Sequence, residues 1–166
     1  MPEAVPAAAA PVSAWRIATQ GPAWQATDLD GKGMAIHGGR WNRPSVPMVY
    51  CTSSIALACL ETVVHLNAAG LPIRRYLIEV LIPADLWATA ETAQPPAGWD
   101  ARPDSPAAAD YGTRWARGLR SAVLRVPSVI IPQESNYLLN PAHPDAARIT
   151  AVDHGRFVYD GRLLGR

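Results

Sequence analysis

Strand-like and helix-like segments follow one another along this chain without the regular strand–helix–strand alternation that builds a parallel sheet. Short apolar or alternating runs predict strands at residues 14–18, 46–51, 75–82, 122–126, 128–131 and 156–159. Helices are predicted at residues 55–66 and 107–120. We therefore expect an α+β fold, in which helices flank a mixed or antiparallel sheet.

The segment 55–66 is the clearest helix. Ser53 or Ser54 is a suitable N-cap, and no proline or glycine interrupts the chain until Gly70. Its apolar stripe consists of Leu57, Leu60, Val63 and Val64. Because Glu61 and His65 are four residues apart, we expect their side chains to share one face of this helix.

The length of 166 residues fits a single domain. Residues 1–13 are rich in proline and alanine and predict a flexible tail, so the folded domain is expected to span residues 14–166. The net charge of +1, from 15 basic and 14 acidic residues, argues against direct nucleic-acid binding. The absence of a signal peptide or a long apolar run predicts a soluble, cytoplasmic protein with no membrane contact.

Several standard sites do not fit the sequence. The turn at residues 30–33 contains Gly-Lys-Gly but lacks the spacing of a phosphate-binding loop. No Gly-x-Ser-x-Gly nucleophile motif occurs. The four histidines and two cysteines have no metal-ligand spacing, so we expect no metal site.

Four polar residues stand out in apolar surroundings. Arg40 follows a Gly-Gly turn, Tyr50 ends an apolar strand, Glu61 lies in the predicted helix, and Ser128 follows Val-Pro. Each alone has an ordinary explanation as an ion pair, a packing residue, a solvated carboxylate or a backbone-bonding hydroxyl. Together they suit one chemistry, because an arginine binds a diphosphate, an aromatic ring stacks on a base, and a carboxylate stabilises an oxocarbenium-like sugar.

An ordered series of motifs resembles the RES domain, the toxin half of Xre/RES toxin–antitoxin pairs. The series consists of Trp-Arg-Ile (15–17), Gly-Gly-Arg-Trp-Asn (38–42), Val-Tyr (49–50), Ser-x-x-Leu-Ala-x-x-Glu-x-x-x-His (54–65), Val-Pro-Ser (126–128) and Asn-Tyr-Leu-Leu-Asn-Pro-x-His-Pro (136–144). It runs from about residue 15 to residue 159. The resemblance implies a fold like that of ADP-ribosyltransferase toxins, with an NAD cleft.

The resemblance also implies roles for individual residues. It assigns catalysis to Arg40, Tyr50 and Glu61, and NAD binding to Arg16, Arg40, Tyr50, Ser128 and Asn136. In this assignment the two arginines contact the phosphates or ribose, the tyrosine stacks on nicotinamide and the glutamate supports the ribosyl cation. Ser135 is the alternative to Ser128, and His65 is either an orienting or a core residue. The roles of Arg43 and of the Pro44–Pro47 loop stay open.

The activity that the resemblance implies is consumption of NAD as a substrate, with no tightly bound cofactor. We expect hydrolysis, or phosphorolysis with inorganic phosphate, to arrest growth. The alternative within enzymes is ADP-ribosylation of a specific protein, and a non-catalytic nucleotide-binding or interaction module is the alternative from another class. ADP-ribosyltransferases often have an acidic residue two positions before the catalytic glutamate, where it orients the acceptor. In this chain that position is Cys59, which favours a small-molecule acceptor. The implied partner is an Xre-like helix-turn-helix antitoxin that covers the active site within a larger oligomer.

Overall fold

A computed structural model describes residues 9–66 and 74–164 of the chain. Within these residues the strands are β1 (Val12–Thr19), β2 (Val49–Thr52), β3 (Arg75–Ile82), β4 (Glu91–Thr92), β5 (Val123–Pro127), β6 (Ser135–Leu139) and β7 (Thr150–Arg156). The helices are α1 (Lys32–His37), α2 (Ile55–Val63), α3 (Ala84–Ala88) and α4 (Pro106–Gly118), with 3-10 turns at Ala146–Arg148 and Gly161–Leu164. The strands form one sheet in the order β4-β5-β6-β2-β1-β3-β7.

The sheet is mixed. β4 and β5 pair in parallel, whereas each of the other neighbouring pairs is antiparallel. β1 and β3 pair over their whole lengths, from Val12 opposite Ile82 to Thr19 opposite Arg75. The α+β fold expected from the sequence is therefore confirmed.

Alternating side chains give the sheet two apolar faces, each with its own core. The first core contains Ala14, Ala18, Ala26, Val49, Cys51, Ile78, Val80, Ile82, Leu86, Ala122, Val123, Leu139 and Ile149. The second core contains Trp41, Val46, Met48, Ala93, Ala108, Trp115, Ala116, Leu124, Val126 and Leu138, with Tyr50 packed against it. Because successive residues of a strand point to opposite faces, Tyr50 and Cys51 of β2 belong to different cores.

Helix α4 lies against the second core at unusually close range. A Cβ added at Gly112 would lie 1.9 Å from the backbone oxygen of Trp41, so only glycine permits this approach. The Thr113 hydroxyl accepts a hydrogen bond from the Arg43 backbone N–H over 2.9 Å. Helix α4 therefore holds the backbone of the Gly-Gly-Arg-Trp-Asn turn in place.

The predicted strand at 75–82 coincides with β3, and Ser54 caps α2 by accepting a hydrogen bond from the Leu57 N–H. β1 begins at Val12, so two residues assigned to the tail belong to the sheet. The first eight residues lie outside the described residues, and so does the predicted helix stop at Gly70.

Two strand predictions were wrong. Residues 128–131 form a turn, because the Ser128 hydroxyl accepts the N–H groups of Ile130 and Ile131 and withdraws them from a ladder. The last strand runs over Thr150–Arg156 rather than 156–159. Its residues are mostly exposed, so it lacks the apolar alternation that predicts a strand. Helix α1 was missed for a similar reason, since none of its residues is buried.

Candidate active site

Glu61 lies in the last turn of α2 and is half-buried. The helix follows directly from β2, and the Ser54 cap sets where its first turn begins. A carboxylate in such a position is costly unless polar groups contact it. Two side chains from distant parts of the chain supply those contacts.

Ser128 and Asn136 both donate hydrogen bonds to one oxygen of Glu61. The Ser128 hydroxyl reaches Oε1 over 2.9 Å and the Asn136 Nδ2 reaches the same atom over 2.7 Å. Ser128 has no exposed surface. Its hydroxyl oxygen accepts the N–H groups of Ile130 and Ile131 at 3.1 Å each, so its single hydrogen is directed to the carboxylate.

The second carboxylate oxygen of Glu61 differs from the first in its hydrogen bonding. Among the described residues no hydrogen bond reaches its Oε2 atom, while Oε1 has two donors. The Oδ1 atom of Asn136 is also buried without a partner among these residues. The cluster therefore fixes the orientation of the carboxylate and keeps one oxygen and one amide acceptor for further contacts.

Tyr50 and Asn42 form a second polar group, on the turn that carries Arg40. The Tyr50 hydroxyl donates to Asn42 Oδ1 over 2.7 Å and accepts the backbone N–H of Trp41 over 3.0 Å. Burial raises the pKa of the Tyr50 hydroxyl above its ordinary value. The hydroxyl is therefore engaged within the protein and stays protonated. Only the ring of Tyr50 is left to contact a ligand.

Arg40 binds the segment that precedes α4. Its Nη1 atom donates to the backbone oxygens of Trp99 and Ala101 over 2.9 and 3.1 Å, and its Nη2 atom forms a 2.7 Å ion pair with Asp104. The side chain is 18% exposed. The Trp41 ring stacks on Trp99 with centroids 5.7 Å apart, which reinforces the same contact. Much of the guanidinium is thus committed to the protein's own backbone.

The sheet register brings these two groups to one face. Tyr50 pairs with Leu138 across β2 and β6, and Thr52 pairs with Asn136. Tyr50 and Asn136 are therefore diagonal neighbours on the same face, a relationship that separates residues by about 7–8 Å. Of the six residues expected to form the site, five thus lie in two adjacent groups: Glu61, Ser128 and Asn136 in one, Arg40 and Tyr50 in the other.

Arg16 lies elsewhere. On β1 it is two residues away from both Ala14 and Ala18, so the three side chains share one face of the sheet, and it pairs with Ile78 on β3. Ala14, Ala18 and Ile78 all belong to the first core. Strand alternation therefore places Arg16 on the face opposite Tyr50 and Asn136. Its Nη1 atom donates to the backbone oxygen of Asp28 over a long 3.3 Å.

The structure bears on four sequence expectations for this region. Helix α2 ends at Val63 rather than at residue 66, so His65 lies in the turn that follows the helix, where its N–H donates to the Thr62 backbone oxygen over 3.1 Å and its side chain is exposed. Ser128 rather than Ser135 contacts the carboxylate. Arg43, whose role was open, forms a 2.7 Å ion pair with Asp110. The Pro44–Pro47 loop folds back on Asn42, whose Nδ2 binds the Val46 backbone oxygen over 2.9 Å.

Asn42, Trp99 and Asp104 were not among the expected site residues. Asn42 belonged to the recognised motif at residues 38–42, so its position in the series was the available signal. Nothing in the local sequence indicated that residues 99–104 contact Arg40, about 60 residues away.

Within residues 9–66 and 74–164, no cluster of histidine, cysteine and acidic residues could hold a metal ion. No helix in the same ranges has the length and hydropathy needed to cross a membrane.

Comparisons with known proteins give a consistent result. The RES domain family model matches residues 13–160. A Sphingobium sp. (strain YBL2) protein named Prs ADP-ribosylating toxin is 52% identical over 155 residues, which cover 92% of this chain and 96% of that protein. A Pseudomonas putida protein named Toxin Res is 35% identical over 157 residues, 90% of this chain and 98% of that protein.

A solved structure shares the fold. It belongs to the M. tuberculosis MbcT-MbcA toxin-antitoxin complex, and the match covers 87% of this chain and 85% of that one with a TM-score of 0.60. The sequence identity is 16%, so this likeness concerns the fold alone.

Proposed function

The chain belongs to the RES domain family, and from this premise and the geometry around Glu61 we propose that it is the toxin of a toxin–antitoxin pair that cleaves the nicotinamide N-glycosidic bond of NAD. The observation that carries the proposal is the double hydrogen bond to Glu61 Oε1, which leaves Oε2 for the substrate.

The reaction needs a group that stabilises positive charge on the ribose. The bond between ribose C1′ and the pyridinium nitrogen breaks, its electron pair neutralises the nicotinamide ring, and the ribose develops oxocarbenium character. A nucleophile then attacks C1′ and loses its proton. An ionised carboxylate held in place by Ser128 and Asn136 supplies the opposing charge without having to reorganise during the reaction.

The second polar group supports binding of the same substrate. The Tyr50 ring, with its hydroxyl engaged by Asn42 and Trp41, is suited to stack on nicotinamide. Arg40 would contact the diphosphate through donors that Trp99, Ala101 and Asp104 do not use, or by exchanging Asp104 for a phosphate. Arg16, on the opposite face of the sheet, remains proposed as a phosphate or ribose contact.

We propose a protein as the acceptor of ADP-ribose. The support is the relative that is 52% identical over nearly the whole chain and is named as an ADP-ribosylating toxin of Prs, which makes Prs the first acceptor to test. Transfer to water or inorganic phosphate is the second candidate. It is favoured by Cys59, which stands where an acidic residue would help to orient a protein acceptor.

The proposed partner is a helix-turn-helix antitoxin that covers the site within a larger assembly. The shared fold with a chain from a toxin-antitoxin complex is consistent with such a partner. We propose no direct contact of the toxin with nucleic acid, in line with its net charge of +1. Copurification with the product of a neighbouring gene for a DNA-binding protein would identify the partner.

The test is to incubate the purified chain with NAD labelled in the adenylate part, with and without phosphate and with and without Prs. We expect release of nicotinamide and label on the Prs band. Free ADP-ribose or its phosphorylated form, with no labelled protein, would select the second candidate. No nicotinamide release under any of these conditions would contradict the proposal.

Glu61→Gln provides the matched test of the carboxylate. Removing a preorganised electrostatic contact lowers turnover by about 10²–10³-fold, and expression of this variant should no longer arrest growth. Glu134→Gln makes the same chemical change at an exposed glutamate, which contacts Ser54 at 3.3 Å, and should retain activity. Equal turnover of the Glu61→Gln variant and the parent would reject the catalytic role.

A further inference from the structure

Asn42 is buried, with 1% of its surface exposed, and each atom of its amide group has a hydrogen-bond partner. Its Nδ2 atom donates to the backbone oxygens of Met34 and Val46 at 2.9 Å, and to that of Arg43 at 3.3 Å. Its Oδ1 atom accepts the Tyr50 hydroxyl at 2.7 Å.

The orientation of the amide follows from its neighbours. Three carbonyl oxygens surround Nδ2, and a flipped amide would place Oδ1 against all of them without a hydrogen between. Oδ1 therefore faces Tyr50. Because the Trp41 N–H already donates to the Tyr50 oxygen, the phenol hydrogen has to point to Asn42.

We propose that Asn42 is a positioning residue for the substrate: it takes the phenol hydrogen of Tyr50 and so fixes the ring as a flat surface for nicotinamide beside the turn that carries Arg40. This inference rests on the proposed function. It assigns no proton transfer to Tyr50, because both hydrogen-bonding directions of its hydroxyl are used within the protein.

The same amide connects the other parts of the turn. Met34 belongs to α1, and Val46 lies beyond Arg43 and Pro44 in the loop that leads to β2. Asn42 also exchanges two backbone hydrogen bonds with Gly39, at 2.9 and 3.3 Å. One buried side chain therefore ties α1, the turn and the loop to the Tyr50 ring, which gives it a direct influence on where the ring lies relative to Arg40.

Binding of NAD, measured calorimetrically in the Glu61→Gln protein, tests the inference apart from catalysis. Tyr50→Phe keeps the ring and removes both hydrogen bonds of its hydroxyl, to Asn42 and from the Trp41 N–H, and should weaken NAD binding by at least about three- to tenfold, the effect of one neutral hydrogen bond. Asn42→Ala should weaken it at least as much. In the Tyr50→Phe background, Asn42→Ala should weaken binding less than it does in the parent, because the hydroxyl on which Asn42 acts is already absent.

Asn140→Ala is the matched control. Asn140 is equally buried, donates to the Ala116 backbone oxygen at 2.8 Å and accepts the Ala142 N–H at 3.1 Å, at the other end of β6 from Asn136. Its loss should reduce stability and leave the affinity of the folded fraction for NAD unchanged. If Asn42→Ala does not fold, Tyr50→Phe decides, since it leaves the three Nδ2 contacts in place and removes only the two hydrogen bonds of the hydroxyl.

The outcomes separate the two proposals. Tight NAD binding that Tyr50→Phe weakens, without nicotinamide release by the parent chain, supports the role of Asn42 and rejects the proposed reaction. Nicotinamide release by the parent with a Tyr50→Phe affinity and KM within twofold of the parent values rejects the role of Asn42 alone. No NAD binding and no turnover by the parent reject both.

Discussion

The Ser128 hydroxyl donates a hydrogen bond to Oε1 of Glu61 over 2.9 Å, although the two residues are 67 positions apart in the chain. The contact joins the end of β5 to the last turn of α2. Since the same hydroxyl accepts two backbone N–H groups of the turn at 130–131, the turn determines where its hydrogen points. The position of the carboxylate is thus set by a loop on another part of the sheet.

Ser128→Ala should therefore affect both stability and turnover. The change leaves the N–H groups of Ile130 and Ile131 without their hydroxyl acceptor, which costs about 1–3 kcal/mol of unfolding free energy. Turnover should fall because Asn136 alone then holds Oε1 of Glu61. Chemical denaturation and nicotinamide release measure the two effects.

Ser121, also buried and bonded to Trp115 and Val123, is the control. Ser121→Ala should lose stability and retain turnover per folded molecule; an equal loss of turnover would mean that the effect of Ser128 is only structural.

Arg40→Lys should not be a conservative change. Lysine has no planar fork and cannot reproduce the contacts with Trp99, Ala101 and Asp104 together. We expect a loss of about 1.5–3 kcal/mol of unfolding free energy, the contribution of hydrogen bonds to a charged group, and weaker NAD binding. Arg43→Lys, at an ion pair whose side chains are 47% and 45% exposed, should leave the midpoint of thermal unfolding unchanged. Similar midpoints for both variants would show that Arg40 does not hold the 99–104 segment.

Gly112→Ala should disrupt the packing of α4 on the turn. The added methyl group would lie 1.9 Å from the Trp41 backbone oxygen, so the helix or the turn has to move. Overpacking of this kind costs about 1–3 kcal/mol or more, and displacement of the turn should also reduce NAD affinity. Gly118→Ala in the same helix meets only the flexible end of Arg120, at 3.3 Å, and should be neutral or slightly stabilising. Thermal unfolding of the two variants compares them, and a stable Gly112→Ala protein would contradict the close approach.

Stability should fall at alkaline pH because Cys51 is buried. Burial raises the pKa of this thiol from 9.0 to about 11, so the native state holds its proton more tightly than the unfolded chain. The resulting stabilisation, on the order of 3 kcal/mol, is complete below pH 9 and is lost as the pH rises from 9 to 11. The raised pKa of Tyr50 acts in the same direction at higher pH.

Urea unfolding at pH 8–11 measures this dependence. Cys51→Ala should unfold with a flatter pH profile between pH 9 and 11 than the parent, whatever its stability at pH 8. Cys59→Ala should keep most of the slope, since that thiol is half-exposed. A profile of the Cys51→Ala protein parallel to that of the parent would exclude Cys51 as its source.

Local patterns were sufficient for several elements. The alternation at 75–82 and the Ser54 cap depend on neighbouring residues, which is why β3 and the beginning of α2 agreed with the sequence. Elements without buried residues, such as α1, and the mostly exposed β7 carried no such pattern. Their existence depends on pairing and packing partners that lie far away in the chain.

The sequence by itself determined the family, because an ordered series of motifs identifies it, and it predicted which side chains carry the chemistry. Only the tertiary structure decided how those side chains are held. It brought Ser128 and Asn136, 67 and 75 residues away, to one oxygen of Glu61, engaged Arg40 and Tyr50 in the protein's own hydrogen bonds, and placed Arg16 on the opposite face. The physical reason is that periodicity and capping act over a few residues, whereas a hydrogen-bond partner is selected by sheet register and strand alternation.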